Sequence, residues 1–361
     1  MKIVLVNSHL GYGGAERVIT LMANYWAEQG HDVYLMTLAR RDVPCAYPLH
    51  VLVNRVSAQD GTRHRFVLLK LFDFRKNLGR LSPDIVISFQ DETNIMTRLV
   101  SLGLDLPLII SERSHPQYLP LAWYWKLARR LVYPLCDCLV VQTKSIHDWF
   151  MSRKYDLSIE IIPNPLLNDD NRTDFDAEII LDKNAIITVG RLTKAKGHDR
   201  LLEIFKKVSS LRPDWKLYIV GEGNLRTRLE EKIQDYGLNG KVILTGHVKN
   251  PLSLLKQAKI FVFTSYWEGF PNALCEAMAA GLPVLSFDCP SGPADIIVNG
   301  KNGVLISSQE HGAFVESLIE LIDCSQKANK LGANARQITA NLSVDSIMKK
   351  WAEMVSRYIQ K

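Results

Sequence analysis

The stretch that decides the fold is Ala185–Gly197, AIITVGRLTKAKG, in which a short apolar strand runs directly into a glycine-containing turn. The same order opens the chain, where Lys2–Val6 is followed by a glycine-rich turn at Gly11–Gly14 and by an amphipathic helical pattern over Ala15–Gln29. Because this order of elements begins twice, the sequence predicts two α/β domains, each a doubly wound parallel sheet covered by helices.

Further apolar segments support this prediction, because they are continuous runs rather than alternating ones. Continuous runs are typical of strands that are buried on both faces of a parallel sheet. The predicted strands of the first domain are Lys2–Val6, Val33–Thr37, Ile85–Phe89, Leu108–Ser111 and Cys138–Gln142, and those of the second are Ala185–Val189, Lys216–Val220, Val242–Thr245, Ile260–Thr264 and Pro283–Phe287. Helical patterns in the second domain cover Asp199–Leu211, Asn224–Tyr236, Pro251–Gln257 and Asn272–Ala280.

Prolines, asparagines and aspartates concentrate between the two runs, in Ile162–Asp176, and predict a linker there. We therefore expect an N-terminal Rossmann-like domain over residues 1–165 and a C-terminal Rossmann-like domain over residues 166–343. The final helical segment, residues 344–361, is expected to pack back onto the first domain. Ligands of open α/β sheets bind at the carboxyl ends of the strands, so two such domains are expected to face each other across a ligand cleft.

Composition narrows the class of protein. A chain of 361 residues with 47% hydrophobic residues can bury two cores, which excludes disorder. The net charge of +6 favours anionic partners but does not by itself indicate nucleic acid. The six cysteines form no C-x-x-C pair and no zinc spacing, as expected in a reducing cytoplasm. Neither a secretory signal nor a run of about 18 apolar residues is present, so any membrane contact is expected to be peripheral.

The segment Tyr266–Glu276, YWEGFPNALCE, joins a predicted strand to a predicted helix. Free backbone N–H groups and the positive end of the helix suit a pyrophosphate or sugar hydroxyls. Glu268 on the loop can accept hydrogen bonds from a sugar, and Glu276, about one turn into the helix, can accept them from a ribose. Glu276 would also favour this helix end on electrostatic grounds alone.

The turn after the second domain's first strand carries Gly190, Arg191 and Lys196. Arginine can grip phosphate oxygens in a bidentate fork, and lysine acts as a point charge. Fixed cations aimed at a leaving diphosphate stabilise the transition state more than the ground state. We expect Lys196→Ala to lower catalysis by orders of magnitude with little loss of folding stability, and we expect Lys194 to be a solvated loop residue.

The opening turn, Gly11–Glu16, is similar to a dinucleotide fingerprint but lacks the G-x-G-x-x-G spacing. No carboxylate ends the predicted strand Val33–Thr37, where a ribose-binding acid would lie, so a nicotinamide-dependent dehydrogenase is the weakest interpretation. Either Gly13 and Gly14 lie against a ligand phosphate, or this segment is an ordinary turn.

Taken together, these segments resemble the retaining glycosyltransferases of family 4, which have the two-domain GT-B fold. The matching segments are Gly13–Arg17, Ile162–Asn164, Gly190–Leu192, Lys196–Gly197, Gly221–Gly223 and Glu268–Glu276. Four segments are most similar to bacterial transferases that add N-acetylgalactosamine or related hexoses to undecaprenyl-diphosphate-linked oligosaccharides. These segments are the opening turn, Ser88–Phe89, Ser111–Arg113 and Tyr133–Asp137.

This resemblance implies roles for individual residues. Arg191 and Lys196 would bind the donor diphosphate, and together with Glu268 they would form the catalytic set. Glu268 would contact the donor sugar and Glu276 the ribose. The implied donor-binding set is Gly13, Gly14, Gly190, Arg191, Lys196, Glu268, Gly269, Phe270, Pro271, Asn272 and Glu276. A nucleotide-diphosphate sugar, with UDP favoured, would be the co-substrate, and the reaction would retain anomeric configuration without a metal ion or another cofactor.

The chain departs from the family at one position. Many relatives place a histidine near the sugar after the fourth strand, whereas here Arg113 holds that position and His115 follows two residues later. Arg113, His115 and Asn164 are therefore candidates for sugar or acceptor contacts. Asp174 and Asp176 form a D-x-D pattern, but they lie in the predicted linker, so we expect no metal site there.

Two basic amphipathic segments lie in the first domain, which takes the acceptor in this fold. Thr62–Arg80 places Arg65, Lys76 and Arg80 close together at helical spacing, with Lys70 further around. Ala122–Tyr133 carries a basic set, Lys126, Arg129 and Arg130, opposite an apolar set, Trp123, Leu127 and Leu131. Such helices suit an anionic membrane or a lipid diphosphate. The alternative is that both pack on the sheet with solvated charges.

The leading interpretation is a transferase that moves a hexose or N-acetylhexosamine, with N-acetylgalactosamine favoured, to a polyprenyl-diphosphate-linked glycan. Such a protein would act in lipopolysaccharide O-antigen, capsule or glycoprotein-glycan biosynthesis, from the cytoplasm at the inner face of the cytoplasmic membrane, without a nucleic-acid partner. A sugar-nucleotide 2-epimerase of the same fold and a catalytically silent membrane- or lipid-binding partner are the alternatives.

Overall fold

The structure is a computed structural model that describes residues 1–39, 44–58, 67–166 and 179–359. These residues form two compact units. One comprises the described residues within Met1–Pro165 and Val344–Lys361, and the other comprises those within Leu166–Ser343. Each unit contains one parallel sheet with helices, which confirms the predicted α/β class with two doubly wound sheets. Arg65, Asp174 and Asp176 lie outside the described residues.

The first unit has a seven-stranded sheet in the order β3-β2-β1-β4-β5-β6-β7, in which every pairing is parallel. Its strands are β1 Lys2–Asn7, β2 Asp32–Thr37, β3 Asn54–Ser57, β4 Ile85–Phe89, β5 Leu108–Ser111, β6 Cys138–Val141 and β7 Ser158–Ile161. Its helices are α1 Gly14–Glu28, α2 Val67–Leu81, α3 Asp91–Ser101, α4 Trp123–Val132, α5 Lys144–Ser152 and the last helix of the chain, α14 Val344–Ile359. The strand order reverses between β1 and β4, so a ligand crevice is expected at the carboxyl ends of these two strands.

The second unit has a six-stranded parallel sheet in the order β10-β9-β8-β11-β12-β13. Its strands are β8 Ala185–Val189, β9 Lys216–Val220, β10 Val242–Gly246, β11 Ile260–Phe263, β12 Val284–Asp288 and β13 Val304–Ser307. Its helices are α6 His198–Leu211, α7 Arg226–Asp235, α8 Pro251–Leu255, α9 Asn272–Ala279, α10 Pro293–Ile296, α11 His311–Asp323, α12 Ser325–Ala335 and α13 Ile338–Leu342. Here the order reverses between β8 and β11, and the loops after these strands flank that point.

The ten predicted strands are all present, and no boundary differs by more than one residue. Three strands were not predicted: β3, β7 and β13. Each lies at a sheet edge, where one side of the strand has no neighbour, and each is partly exposed. Edge strands need not be continuously apolar, which is why the sequence pattern does not reveal them.

Helix α14 follows the second unit in sequence but belongs to the first. Trp351 is fully buried and stacks on Phe89 at the end of β4, with ring centroids 6.4 Å apart. Arg357 forms an ion pair of 3.0 Å with Glu160 on β7. Apolar residues at helical spacing, from Ile347 to Val355, line the buried side of this helix.

Candidate functional site

The loops after β8 and β11 are the centre of the candidate site in the second unit. Since these strands are adjacent and parallel, both loops leave the same edge of the sheet. The first loop runs from Gly190 through a 3₁₀ turn at Lys194–Lys196 into α6. The second runs from Thr264 to Pro271 and enters α9. Both therefore bring backbone N–H groups and a helix N-terminus to the sheet's switch point.

Two glycines allow the loops to pack backbone against backbone. Gly197 has a φ of +62°, and a Cβ at this position would lie 1.9 Å from the carbonyl oxygen of Thr264. Gly221, after β9, has a φ of +141°, and a Cβ there would lie 2.2 Å from the carbonyl oxygen of Gly190. Close contacts between loops therefore explain the glycines of the segments Lys196–Gly197 and Gly221–Gly223.

We expect Gly197→Ala to lower the free energy of unfolding by more than about 2 kcal/mol, because it adds a backbone clash to the strain of a positive φ. Gly237→Ala is the matched control, since Gly237 has a φ of +65° and no atom within 4 Å of the added methyl group. Urea unfolding of both variants checks the difference. Equal losses in the two variants would contradict the close contact.

Lys196 and Glu268 form the central interaction of the site. The Nζ atom of Lys196 donates to both carboxylate oxygens of Glu268, at 2.7 and 2.9 Å. Ser265 Oγ also donates to Oε1 of Glu268, at 2.5 Å. Glu268 is only 8% exposed, whereas Lys196 is half-buried, with its stem against Gly190. The structure therefore brings together two residues that the sequence assigns to different parts of a ligand.

Arg200 holds this arrangement in place and was not predicted as a site residue. Its side chain is buried, and it donates from Nε to the carbonyl oxygen of Thr264 at 2.7 Å and from Nη2 to that of Ser265. The guanidinium also lies between the rings of Tyr266 and Phe287, 4.3 and 4.2 Å from their centroids. In the sequence, Arg200 is one cation on an amphipathic helix, so no pattern distinguishes it from a surface residue.

The remaining predicted donor residues of the second unit lie on the loops after β8 and β11 and at the start of α9. Arg191 is exposed, and within the described part of the chain its guanidinium forms no ion pair. Glu268 N–H donates to Pro290 O at 3.2 Å, and Ser291 Oγ donates to Gly269 O at 3.1 Å, so the loop after β12 supports the glutamate loop. The other predicted members follow in order: Phe270 and Pro271 are buried, Asn272 begins α9, and Glu276 is partly buried in its second turn.

His198, the first residue of α6, carries an uncharged imidazole next to the loop that holds Arg191 and Lys196. It is buried, and both this burial and the positive charge of Lys196 lower its pKa to about 4. The imidazole is therefore uncharged at neutral pH and adds no third positive charge. Arg191 and Lys196 are therefore the predicted cations that remain charged at this edge, beside the exposed Lys194 of the same turn.

In the first unit, the predicted glycine turn lies between β1 and α1. The N–H of Gly13 donates to Tyr47 Oη at 3.3 Å, and Gly14 is the first residue of α1. Glu16 in the same turn of helix is buried, and its carboxylate folds back so that a Cβ on Gly13 would lie 2.1 Å from Oε2. Gly13 therefore permits the close approach of a side chain from its own helix.

Arg113 and His115 follow β5, as predicted, but they differ in their surroundings. Arg113 lies over the ring of Phe89 at 3.7 Å and donates from Nη1 to Asn164 Oδ1 at 2.8 Å, so two of the candidates are in contact. His115 is buried against Tyr118, and burial, assisted by the positive Arg153, lowers its pKa to about 4. Packing alone accounts for His115, and its contact with a sugar stays a prediction.

The prediction for Arg129 is wrong. It was expected to share a membrane- or acceptor-facing surface with Lys126 and Arg130, but it is only 3% exposed. Its guanidinium lies 5.2 Å from the ring centroid of Trp149 and acts electrostatically on Glu112. Arg129 points inwards because buried carboxylates require a cation there.

Glu112 lies at the centre of this buried cluster. Tyr133 Oη donates to its Oε2 at 2.8 Å, and Asp91 lies near enough for its negative charge to act on it. Burial, and then the charge of Asp91, raise the pKa of Glu112 to about 8. Since the guanidinium of Arg129 acts on both carboxyl groups, Glu112 and Asp91, its charge is balanced when Glu112 holds a proton.

We expect this proton to make folding stability dependent on pH. The folded-state pKa lies above the ordinary value of 4.5, so the contribution is fully present below that pH and is lost as the pH rises towards 8. Glu112→Gln cannot ionise and should be more stable than the wild type above pH 8 by about 2 kcal/mol or more. Urea unfolding at pH 6 and above 8, with the exposed Glu28→Gln as control, measures this; identical pH profiles for wild type and Glu112→Gln would contradict it.

The two basic helices present both charge and apolar surface. On α2, Lys76 and Arg80 are exposed and Lys70 is partly exposed, while Arg65 lies outside the described residues. On α4, Lys126 and Arg130 are exposed, and Trp123 and Leu131 are 75% and 64% exposed. The predicted apolar residues of α4, Trp123, Leu127 and Leu131, are exposed together with Tyr124. Val132 and the partly buried Trp125 and Ala128 pack against the core of the first unit, so α4 packs with solvated charges and also presents an apolar surface.

Two kinds of feature are absent from the described ranges. Within residues 1–39, 44–58, 67–166 and 179–359, no group of three or more histidines, cysteines, aspartates or glutamates is placed to hold a metal ion. Across the same ranges, no helix has both the length and the apolar character that are needed to cross a membrane.

A family model matches most of each unit. The family model "Glycosyltransferase Family 4" matches residues 12–166, and the model "Glycosyl transferases group 1" matches residues 169–338. The first match includes Gly13 and Gly14 and β2 to β7, and the second includes the Lys196 and Glu268 loops.

Similar proteins extend over almost the whole chain. An α-1,4-N-acetyl-D-galactosaminyltransferase of Campylobacter jejuni, named for a GalNAc-containing undecaprenol-diphosphate substrate, is 28% identical over 99% of this chain and 98% of its own length. The amylovoran biosynthesis glycosyltransferase AmsD of Erwinia amylovora is 27% identical over 98% of this chain and 99% of its own. The Anabaena protein Alr3699/HepE, solved with UDP and glucose, has the same fold, with a TM-score of 0.81 at 17% identity over 99% of this chain and 100% of that one.

Proposed function

Because the chain belongs to the glycosyltransferases that join a family 4 N-terminal domain to a group 1 C-terminal domain in the GT-B fold, we propose that it transfers a hexose or N-acetylhexosamine to a lipid-linked glycan. The donor is a nucleotide-diphosphate sugar, with UDP favoured, and the acceptor is a polyprenyl-diphosphate-linked oligosaccharide of a bacterial surface glycan. The names of the Campylobacter and Erwinia proteins support this substrate class, and the former favours N-acetylgalactosamine.

The observation that carries the proposal is the Lys196–Glu268 pair beside the exposed Arg191 at the switch point of the second unit. A diphosphate needs cations, and a sugar needs hydrogen-bond acceptors. The paired lysine neutralises the buried glutamate, so that an anionic donor meets no net repulsion from it. Glu276 at the start of α9 would take the ribose, and the backbone of Gly269, Phe270, Pro271 and Asn272 would line the sugar and phosphates.

The proposed chemistry is a retaining transfer that needs no metal ion. The bond between the anomeric carbon and the diphosphate oxygen breaks as the acceptor hydroxyl attacks from the same face, and the hydroxyl proton passes to the departing diphosphate. Arg191 and Lys196 stabilise the negative charge that develops on the leaving group. Gly13 and Gly14 are proposed donor contacts in the first unit, and Arg113, His115 and Asn164 are proposed sugar or acceptor contacts.

The acceptor is a membrane lipid, and the first unit offers a surface that suits one. Three neighbouring helices contribute exposed apolar residues: Phe72 from α2, Leu99 from α3, and Trp123 and Leu131 from α4. Lys76, Arg80, Lys126 and Arg130 on the same helices are exposed cations. We propose that this surface rests on the anionic inner face of the cytoplasmic membrane and that its cations approach the lipid diphosphate.

Replacing Trp123 and Leu131 together with serine should weaken sedimentation with phosphatidylglycerol vesicles by about tenfold or more, because apolar area no longer enters the interface. Leu211→Ser, which changes an exposed leucine of the second unit, is the control and should sediment like the wild type. Vesicle binding that is unchanged in the double variant would contradict the proposed membrane surface.

The transfer itself is tested with UDP- and GDP-sugars and a synthetic undecaprenyl-diphosphate oligosaccharide, with and without EDTA. A glycolipid one sugar heavier, with an α linkage by NMR and full yield in EDTA, would support the proposal. Conversion of the nucleotide sugar without any acceptor would instead indicate an epimerase. Lipid binding without nucleotide-sugar binding would indicate a silent partner.

A further inference from the structure

A second polar site lies at the switch point of the first unit. The carboxylate of Glu16, from the turn after β1, and the amide of Gln90, directly after β4, stand on the two sides of this point. Gln90 Nε2 donates to Oε1 of Glu16 at 2.9 Å, and Ser8 Oγ donates to Oε1 of Gln90 at 3.0 Å. His9 Nε2 approaches the same Glu16 oxygen to 3.8 Å.

The backbone holds Gln90 here at an energetic cost. Its φ is +72°, in a region that side-chain-bearing residues rarely occupy. Such strain costs on the order of 1–3 kcal/mol and concentrates at functional sites. The glutamate is also unusual, since it is only 4% exposed, and among the described residues its Oε2 has no hydrogen-bond donor.

Arg113, after β5, lies near enough to Glu16 for the two charges to interact. Burial lowers the pKa of Arg113 to about 9, against which the charge of Glu16 acts, and the side chain stays cationic at neutral pH. Nη1 donates to Asn164, but Nε and Nη2 are buried without any hydrogen-bond partner in the described part of the chain. The guanidinium and the carboxylate of Glu16 form no ion pair there either. Buried donors without protein partners are uncommon in native proteins, so these two N–H groups are suited to bind an acceptor from a ligand.

We propose that Glu16, positioned by Gln90, and Arg113 together bind the hydroxyl groups of a sugar ring. A sugar hydroxyl can donate to the carboxylate while it accepts from the guanidinium, so adjacent hydroxyls satisfy both groups at once. The ionised diphosphate of a nucleotide sugar has no proton to donate, and the buried Glu16 would repel it, so we infer that the ligand is uncharged where it meets this residue. The inference rests on the proposed function, and the sugar belongs either to the donor or to the end of the acceptor glycan.

The test titrates wild type, Glu16→Gln and the exposed control Glu28→Gln with UDP, UDP-N-acetylgalactosamine and methyl α-N-acetylgalactosaminide. Glu16→Gln should bind one of the two sugar-containing ligands about tenfold or more weakly than the wild type does, since a hydrogen bond to a charged group is lost. It should bind UDP equally well. Weakening of the nucleotide sugar assigns the site to the donor sugar, and weakening of the methyl glycoside assigns it to the acceptor.

Unchanged binding of both sugar-containing ligands in Glu16→Gln would overturn the inference. Failure of the wild type to bind UDP and the nucleotide sugar would instead refute the proposed function, and the methyl glycoside would still report on Glu16. Circular dichroism and thermal unfolding show whether Glu16→Gln is folded. If it is not, Glu16→Asp replaces it, because it keeps the charge but withdraws the carboxylate from the ligand, and the same loss of sugar binding is expected.

Discussion

Lys196→Ala is expected to lower kcat by about 10²–10³-fold, the loss that follows removal of one preorganised group that stabilises transition-state charge. Nζ of Lys196 donates to the carboxylate of Glu268, and in the proposed reaction it stabilises the departing diphosphate. The affinity for UDP should fall as well, because the cation is gone. Steady-state kinetics with the nucleotide sugar and titration with UDP measure the two effects.

The structure adds a stability cost that the sequence alone does not predict. Without Lys196, the buried Glu268 retains Ser265 as its one side-chain donor among the described residues, so Lys196→Ala should also unfold more easily, by about 1–3 kcal/mol. Lys194→Ala is the matched control, since Lys194 lies in the same 3₁₀ turn and is exposed. Turnover near the wild-type level in Lys196→Ala, or an equal loss in Lys194→Ala, would refute the role.

Glu268→Gln should also lower kcat by about 10²-fold or more, since the carboxylate contacts the sugar in the proposed reaction. Its effect on UDP affinity should be the opposite of that in Lys196→Ala. The glutamine carries no charge, so Lys196 is no longer held by a carboxylate and is available to the diphosphate. UDP should therefore bind as tightly as in the wild type, or more tightly.

This split between turnover and affinity separates a ligand contact from a purely structural ion pair. Glu230→Gln, which changes an exposed glutamate paired with Arg226, is the control and should alter neither quantity. If Glu268→Gln weakened UDP binding as much as Lys196→Ala does, the two residues would act only by holding the loops together, and the separate roles would be rejected.

The sequence predicts the central strands of both sheets because burial on both faces demands continuous apolar runs. It also places Arg191, Lys196 and Glu268 correctly after the strands β8 and β11. It cannot predict the contact between Lys196 and Glu268, which are 72 residues apart and meet only when the two strands become neighbours. The switch points follow from strand order, which no local pattern encodes.

Side-chain direction is the other property that the sequence leaves open. Arg129 and Arg130 are adjacent cations on α4, yet one is buried against Glu112 and the other is exposed. Helical periodicity separates faces by angle but does not say which face meets the sheet. Glu16 was part of the quoted glycine motif, but its burial and its hydrogen bond to Gln90 depend on β4, which lies far along the chain.

The most direct test of the central claim is a thermal-shift titration of wild type and Lys196→Ala with UDP- and GDP-sugars, the free diphosphates and NAD. A ligand that binds the folded state raises its unfolding midpoint by mass action. We predict that one class of nucleotide sugar stabilises the wild type and that this shift is lost in Lys196→Ala. A shift with NAD alone, or no shift with any nucleotide, would contradict the assignment of Arg191 and Lys196 to a sugar-nucleotide diphosphate.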